Sequence, residues 1–135
     1  MKLNLKWWPH LLLTGVAIIF FYKTVFYGLL PFPGDLLLSE YNPWRQASYD
    51  GYYPGAIPSK VQYFDVLREL YPWKWLAIDE LKHGRLPLWN PYNFSGTPLL
   101  ANDQSAVFYP LNILYFLLPF NIAWSTLVVL QPILG

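Results

Sequence analysis

The sequence predicts a mainly α-helical fold: a fragment of a polytopic helical membrane protein with a long extracytoplasmic loop that contains short interfacial helices. Three observations predict it. Residues 7–30 are dominated by apolar side chains, residues 31–105 hold every acidic residue, and residues 107–135 turn apolar again without a polar tail. Only 13% of the 135 residues are charged against 55% hydrophobic, where soluble domains carry roughly 25% charge. The apolar residues gather at the two ends instead of recurring periodically, which favours membrane segments over a globular core. The expected organisation is a cytoplasmic N-terminus with a first transmembrane helix over 1–30, an extracytoplasmic loop over 31–105, and a return helix with the truncated start of a second span over 106–135.

The first element opens at Trp7-Trp8-Pro9 and runs to Leu30. About 20 apolar residues are needed to cross the hydrocarbon layer. Lys23 lies near the far end, where its stem reaches an interface, and Trp7, Trp8, Tyr22 and Tyr27 fit interfacial belts. The bulky 20–30 stretch offers no small-residue cleavage site, so an anchor is expected in place of a removed signal. Lys2 and Lys6 place the N-terminus in the cytoplasm, which puts 31–105 outside the cell.

Within the loop, Pro31, Pro33, Pro43, Pro54 and Pro58 predict irregular chain to residue 59. Val61, Phe64, Leu67, Leu70 and Tyr71 share one face of a helix over 60–71. Pro72 breaks that helix and starts a second over 73–83, with Lys82 and His83 in its last turn and Gly84 as its stop. Residues 85–101 read as irregular. Asn102 or Asp103 caps a further helix running to about 118, and Pro119 separates it from the final apolar segment.

Composition excludes several chemistries. With no cysteine there is neither a disulfide framework nor thiolate chemistry. His10 and His83 stand in no metal-binding spacing, so no metal site is expected. A net charge of +1 gives no field for nucleic acid. No phosphate-binding glycine loop or nucleophile elbow is present.

Asp35, in Phe32-Pro33-Gly34-Asp35-Leu36, follows the first apolar run directly. Gly34 allows close approach and the apolar neighbours desolvate the carboxylate, which suits a general base acting on an acceptor hydroxyl; the alternative is a turn or capping aspartate. Asp65 and Glu69 lie one turn apart beside Arg68, as an acid/base pair or as a solvated helix face with local ion pairing. Asn102, Asp103, Gln104 and Ser105 form the densest polar cluster, suited to a phosphate or sugar, or equally to capping. Arg45, Lys60, Lys74 and Arg85 could meet a lipid phosphate. Trp89, with Trp44, Tyr49, Tyr52, Tyr53, Trp73, Trp75 and Tyr92, offers faces for sugar rings or interfacial anchoring.

The run from Gly84-Arg85-Leu86-Pro87-Leu88-Trp89-Asn90-Pro91-Tyr92 through Gly96-Thr97-Pro98 to Ala101-Asn102-Asp103-Gln104-Ser105-Ala106-Val107-Phe108-Tyr109-Pro110-Leu111-Asn112 resembles the hallmark of the YfhO-like bacterial membrane protein family. Gly34-Asp35 and Tyr71-Pro72-Trp73 fit the same pattern. The resemblance implies a polytopic glycosyltransferase of the C-type fold in the cell membrane, taking sugar from a polyprenyl-phosphate carrier to a cell-envelope glycan on the outer face. It implies Asp35 as catalytic base, and a chain that is the N-terminal part of a longer protein. Arg45, Trp89, Asn102 and Gln104 are the expected substrate-binding residues; no cofactor is indicated. The rival expectations are a non-catalytic membrane subunit that binds lipid-linked glycan or partner helices, and a secreted aromatic-rich binding module.

Overall fold

The structure, a computed structural model, describes residues 7–49, 52–58 and 61–134. Lys2, Lys6 and Lys60, to which the sequence assigns orientation and phosphate contact, lie outside the described residues. The chain divides into two compact units, Met1–Pro31 with Ile113–Gly135, and Phe32–Asn112.

The first unit is helical. Pro9 lies in the first turn of α1 (Trp8–Phe20), where its missing N–H costs nothing. A single turn residue, Phe21, separates α1 from α2 (Tyr22–Tyr27), and Gly28 ends α2 in the left-handed region at φ 66°. After the short α5 (Leu114–Leu117), Leu118 is extended and Pro119 precedes α6 (Phe120–Leu134). α1 packs on α6, and Ala17 and Ala123 are both buried, small enough for the two backbones to approach closely. Tyr115 is buried with its ring 4.8 Å from Phe120. Trp124 donates its indole N–H to the Pro31 carbonyl at 3.3 Å.

This overturns the polytopic membrane fold expected from the apolar runs: among the described residues no helix is long and apolar enough to cross a membrane. The 13 residues of α1 rise about 20 Å and the 15 of α6 about 22 Å, against a hydrocarbon thickness of roughly 30 Å. The physical reason lies at Phe21, whose φ −95° and ψ 23° take it out of helical geometry, and at Gly28. Together they divide one apolar run into two short helices.

The second unit is built on α4 (Tyr71–Lys82). Its buried face, Trp73, Leu76 and Ala77, packs with Leu99 and Val107 from the following loop, and Leu81 and Leu100 close the edge. Gly84, at φ 72°, lies just beyond its end. The helix expected over 60–71 is instead a 3-10 turn, Val61–Tyr63, followed by a π-helical turn, Val66–Leu70, that leads into α4 without a break. Pro72 would meet the Arg68 carbonyl in a regular helix; Arg68 lies inside the wider π turn, which lets the chain continue.

Three further segments differ from expectation. A seven-residue helix, α3 (Gly34–Glu40), forms where irregular chain was expected, with Leu36 fully buried. Residues 85–101 contain a small antiparallel hairpin of β1 (Trp89–Asn90) and β2 (Thr97–Pro98), with Trp89 opposite Pro98. The helix expected from Asn102 to about 118 stops after a 3-10 turn, Asp103–Ser105, because Ala106 adopts φ 44°.

Candidate functional site

Three neighbourhoods of the second unit carry the polar and aromatic residues singled out by the sequence. The first surrounds Asp35, in the opening turn of α3. Its Oδ1 accepts from the Leu36 amide at 3.1 Å. The Tyr52 hydroxyl is raised above the ordinary tyrosine pKa by partial burial, then by the charge of the Asp35 carboxylate and hydrogen bonding with it; the same hydroxyl lies 3.5 Å from the Ile57 carbonyl. The 3-10 turn Trp44–Gln46 packs on α3, so exposed Arg45 stands on the element beside the one that carries Asp35.

The second neighbourhood is the motif 99–112, drawn around Lys74. The Lys74 ammonium donates to the carbonyls of Ser105 at 2.8 Å and Ala106 at 3.1 Å, and to Asn112 Oδ1 at 3.3 Å. These use all three of its donors. Burial lowers Lys74 to about 8; the three oxygens oppose that shift, because they accept from the charged form. Asn112 donates in turn to the Ala106 and Val107 carbonyls, each at 2.8 Å. Ser105 is fully buried, and its Oγ shares its one hydrogen between the Leu99 and Asn102 carbonyls, at 2.9 and 2.7 Å. Asn102 Oδ1 accepts from the Gln104 amide at 3.0 Å, so Asn102 acts as a cap, and Gln104 is exposed beside it. The densest polar motif of the chain thus closes a turn around a lysine. These bonds also explain why the compact unit reaches Asn112 and does not end near 105.

Arg85 is engaged likewise: its guanidinium grips Glu80 through two bonds of 2.7 and 2.8 Å. Arg68 donates to the Tyr41 hydroxyl at 2.6 Å and lies 4.4 Å from the Phe64 ring centre, which separates it from the Asp65–Glu69 pairing considered above. Among the described residues no group of three or more His, Cys, Asp or Glu side chains could hold a metal ion.

The third neighbourhood is a groove of about 560 Å³ between α4 and the hairpin, lined by Tyr71, Pro72, Trp75, Leu76, Asn90, Tyr92 and Asn93. Asn90 is buried; its Oδ1 accepts from the Tyr92 amide and its side-chain amide donates to Asn93 Oδ1. Tyr71 packs on Phe32, ring centres 4.9 Å apart, and burial raises its hydroxyl pKa. Trp89, named from the sequence as a sugar platform, does not line this groove. Its indole covers Gly96 instead, where an added Cβ would fall 2.5 Å from Nε1. Gly96→Ala, at φ 115° and with no room, is therefore expected to destabilise the protein by about 1–3 kcal/mol. A lower urea midpoint with a shifted tryptophan emission would register it; an unchanged midpoint would contradict the packing described.

Comparison with protein-family models, with curated proteins and with solved structures found no match. The functional reading therefore rests on the chain's own residues and on the resemblance that its motif carries.

Proposed function

We propose that the protein takes part in glycosyl transfer at the outer face of the cell membrane, with Asp35 as general base, a polyprenyl-phosphate-linked sugar as donor and a cell-envelope glycan as acceptor. Membership of the YfhO-like family is part of this proposal and rests on the motif over 84–112. The single observation that supports the chemistry best is the place of Asp35 in the first turn of α3, with its Oδ1 held by the Leu36 amide and the Tyr52 hydroxyl near enough to feel its charge. The Leu36 amide orients the carboxylate, and orientation is what a base acting on a hydroxyl requires. In the proposed step Asp35 takes the acceptor's proton, and the acceptor oxygen bonds to the anomeric carbon. The bond from that carbon to the phosphate oxygen breaks, and polyprenyl phosphate leaves. Among the described residues Arg45 is the cation we assign to that phosphate, since Lys74 and Arg85 are committed to protein oxygens. Exposed Trp7, Trp8, Leu11, Leu12, Ile19 and Phe20 suit contact with lipid.

The commitment of Lys74 and Arg85 also favours a second reading, a non-catalytic subunit that holds lipid-linked glycan, because it removes two of the cations expected to bind a leaving phosphate. Transfer of labelled sugar from the polyprenyl-phosphate donor to envelope polymer separates the two. Loss of transfer in Asp35→Asn supports the enzyme. Equal transfer by the variant removes Asp35 from the chemistry.

A further inference from the structure

The groove between α4 and the hairpin is a cavity that the proposed chemistry does not use. Three features argue for a ligand. Trp75 and Tyr92 are 51% and 81% exposed, although burying an aromatic ring is among the largest gains available to a fold. Phe94, Ser95 and Gly96 follow Tyr92 and Asn93 with φ of 49°, 65° and 115°. Three consecutive left-handed residues, two of them not glycine, are costly, and such strain persists where the surroundings hold a loop in one functional shape. Here the held shape sets Tyr92 and Asn93 across from Tyr71 and Trp75. Asn90 spends its side chain on that loop's own backbone and on Asn93, which fixes the amide of Asn93 at the groove.

The lining identifies the ligand class. Among the described residues it holds aromatic faces and carboxamides and no charged side chain. A nucleotide or a free phosphate would meet no cation there. A purely apolar chain would offer nothing to the side-chain NH2 of Asn93, whose oxygen is already held by Asn90. A neutral sugar ring satisfies both halves, its C–H face against an aromatic ring and its hydroxyls to amide groups. We propose that this groove binds a neutral glycan, with Trp75 and Tyr92 as stacking residues and Asn93 as the hydrogen-bonding residue. The inference rests on the glycan-directed reading above and supplies a glycan subsite distinct from Asp35.

The test is saturation-transfer NMR of the whole protein with maltotetraose, cellotetraose and chitotetraose, each uncharged. Wild type and Asp35→Asn are expected to bind at least one of the three equally well. Trp75→Ala and Tyr92→Ala, both at exposed positions and so expected to fold, should weaken that binding about tenfold or more, with circular dichroism unchanged. Wild type binding none of the three, or both groove variants binding as wild type does, overturns the proposal. Failure of the transferase reading looks different: sugar transfer unaffected in Asp35→Asn while the groove variants still lose binding.

Discussion

Lys74→Met lowers the unfolding free energy by about 2–4 kcal/mol. The Ser105 carbonyl and Asn112 Oδ1 lose this donor, while the Ala106 carbonyl keeps the Asn112 amide. Each poorly hydrated acceptor left without a partner costs about 1–2 kcal/mol. Removing the ammonium also removes its desolvation cost, so the net effect stays below that of breaking a fully buried pair. For a unit of this size the melting temperature falls by about 10 °C or more. The pH dependence has a definite sign. Lys74 titrates near 8 in the folded chain against 10.5 normally, so between those values the unfolded chain binds more protons and stability rises with pH. Wild type gains from this as pH is raised from 8 to 10.5, and Lys74→Met lacks that contribution. Thermal scans of both proteins across the window measure the difference. Identical slopes would mean that Lys74 is solvated, contrary to its three contacts.

Asp35→Asn is the second large effect. A positioned general base contributes about 10²–10⁴-fold, so the proposed sugar transfer is expected to fall by at least about 100-fold. The amide keeps the oxygen that accepts from the Leu36 N–H, and Leu36 stays buried, so the fold is retained and the urea midpoint moves little. Tyr52→Phe removes the phenol hydroxyl that interacts with the carboxylate, together with its long contact to the Ile57 carbonyl. It lowers kcat by a smaller factor, about tenfold, with KM for the donor nearly unchanged. A Tyr52→Phe loss as large as that of Asp35→Asn would make Tyr52 itself a reacting group.

Which features were legible in the sequence depends on how local their causes are. The helix after Pro72, its stop at Gly84 and the cap at Asn102 follow from neighbours a few residues apart, and the local proline, glycine and cap chemistry display them. The interruptions at Phe21 and Ala106 carry no proline or glycine, so nothing in the residue types announces them, and two long helices were expected where shorter ones form. The π turn at 66–70 answers a proline that local rules read as a break. The partners of Lys74 lie 31 to 38 residues away. Its role as the centre of the 99–112 motif was therefore hidden, and the lysine looked like a phosphate ligand. The groove is similar: Tyr71 and Trp75 are one helical turn apart, but the register pairing Trp89 with Pro98 decides that Tyr92 and Asn93 face them. A string of aromatic residues was visible, and Trp89 was the one singled out. Its place over Gly96 depends on the left-handed turn.

The most direct measurement is sugar transfer by the purified protein in liposomes, supplied with a labelled polyprenyl-phosphate-linked sugar and envelope glycan. The account predicts label in the polymer, free polyprenyl phosphate in equal amount, and neither product with Asp35→Asn. Wild type that binds the lipid-linked sugar yet releases no polyprenyl phosphate would contradict catalysis and leave a glycan-holding subunit.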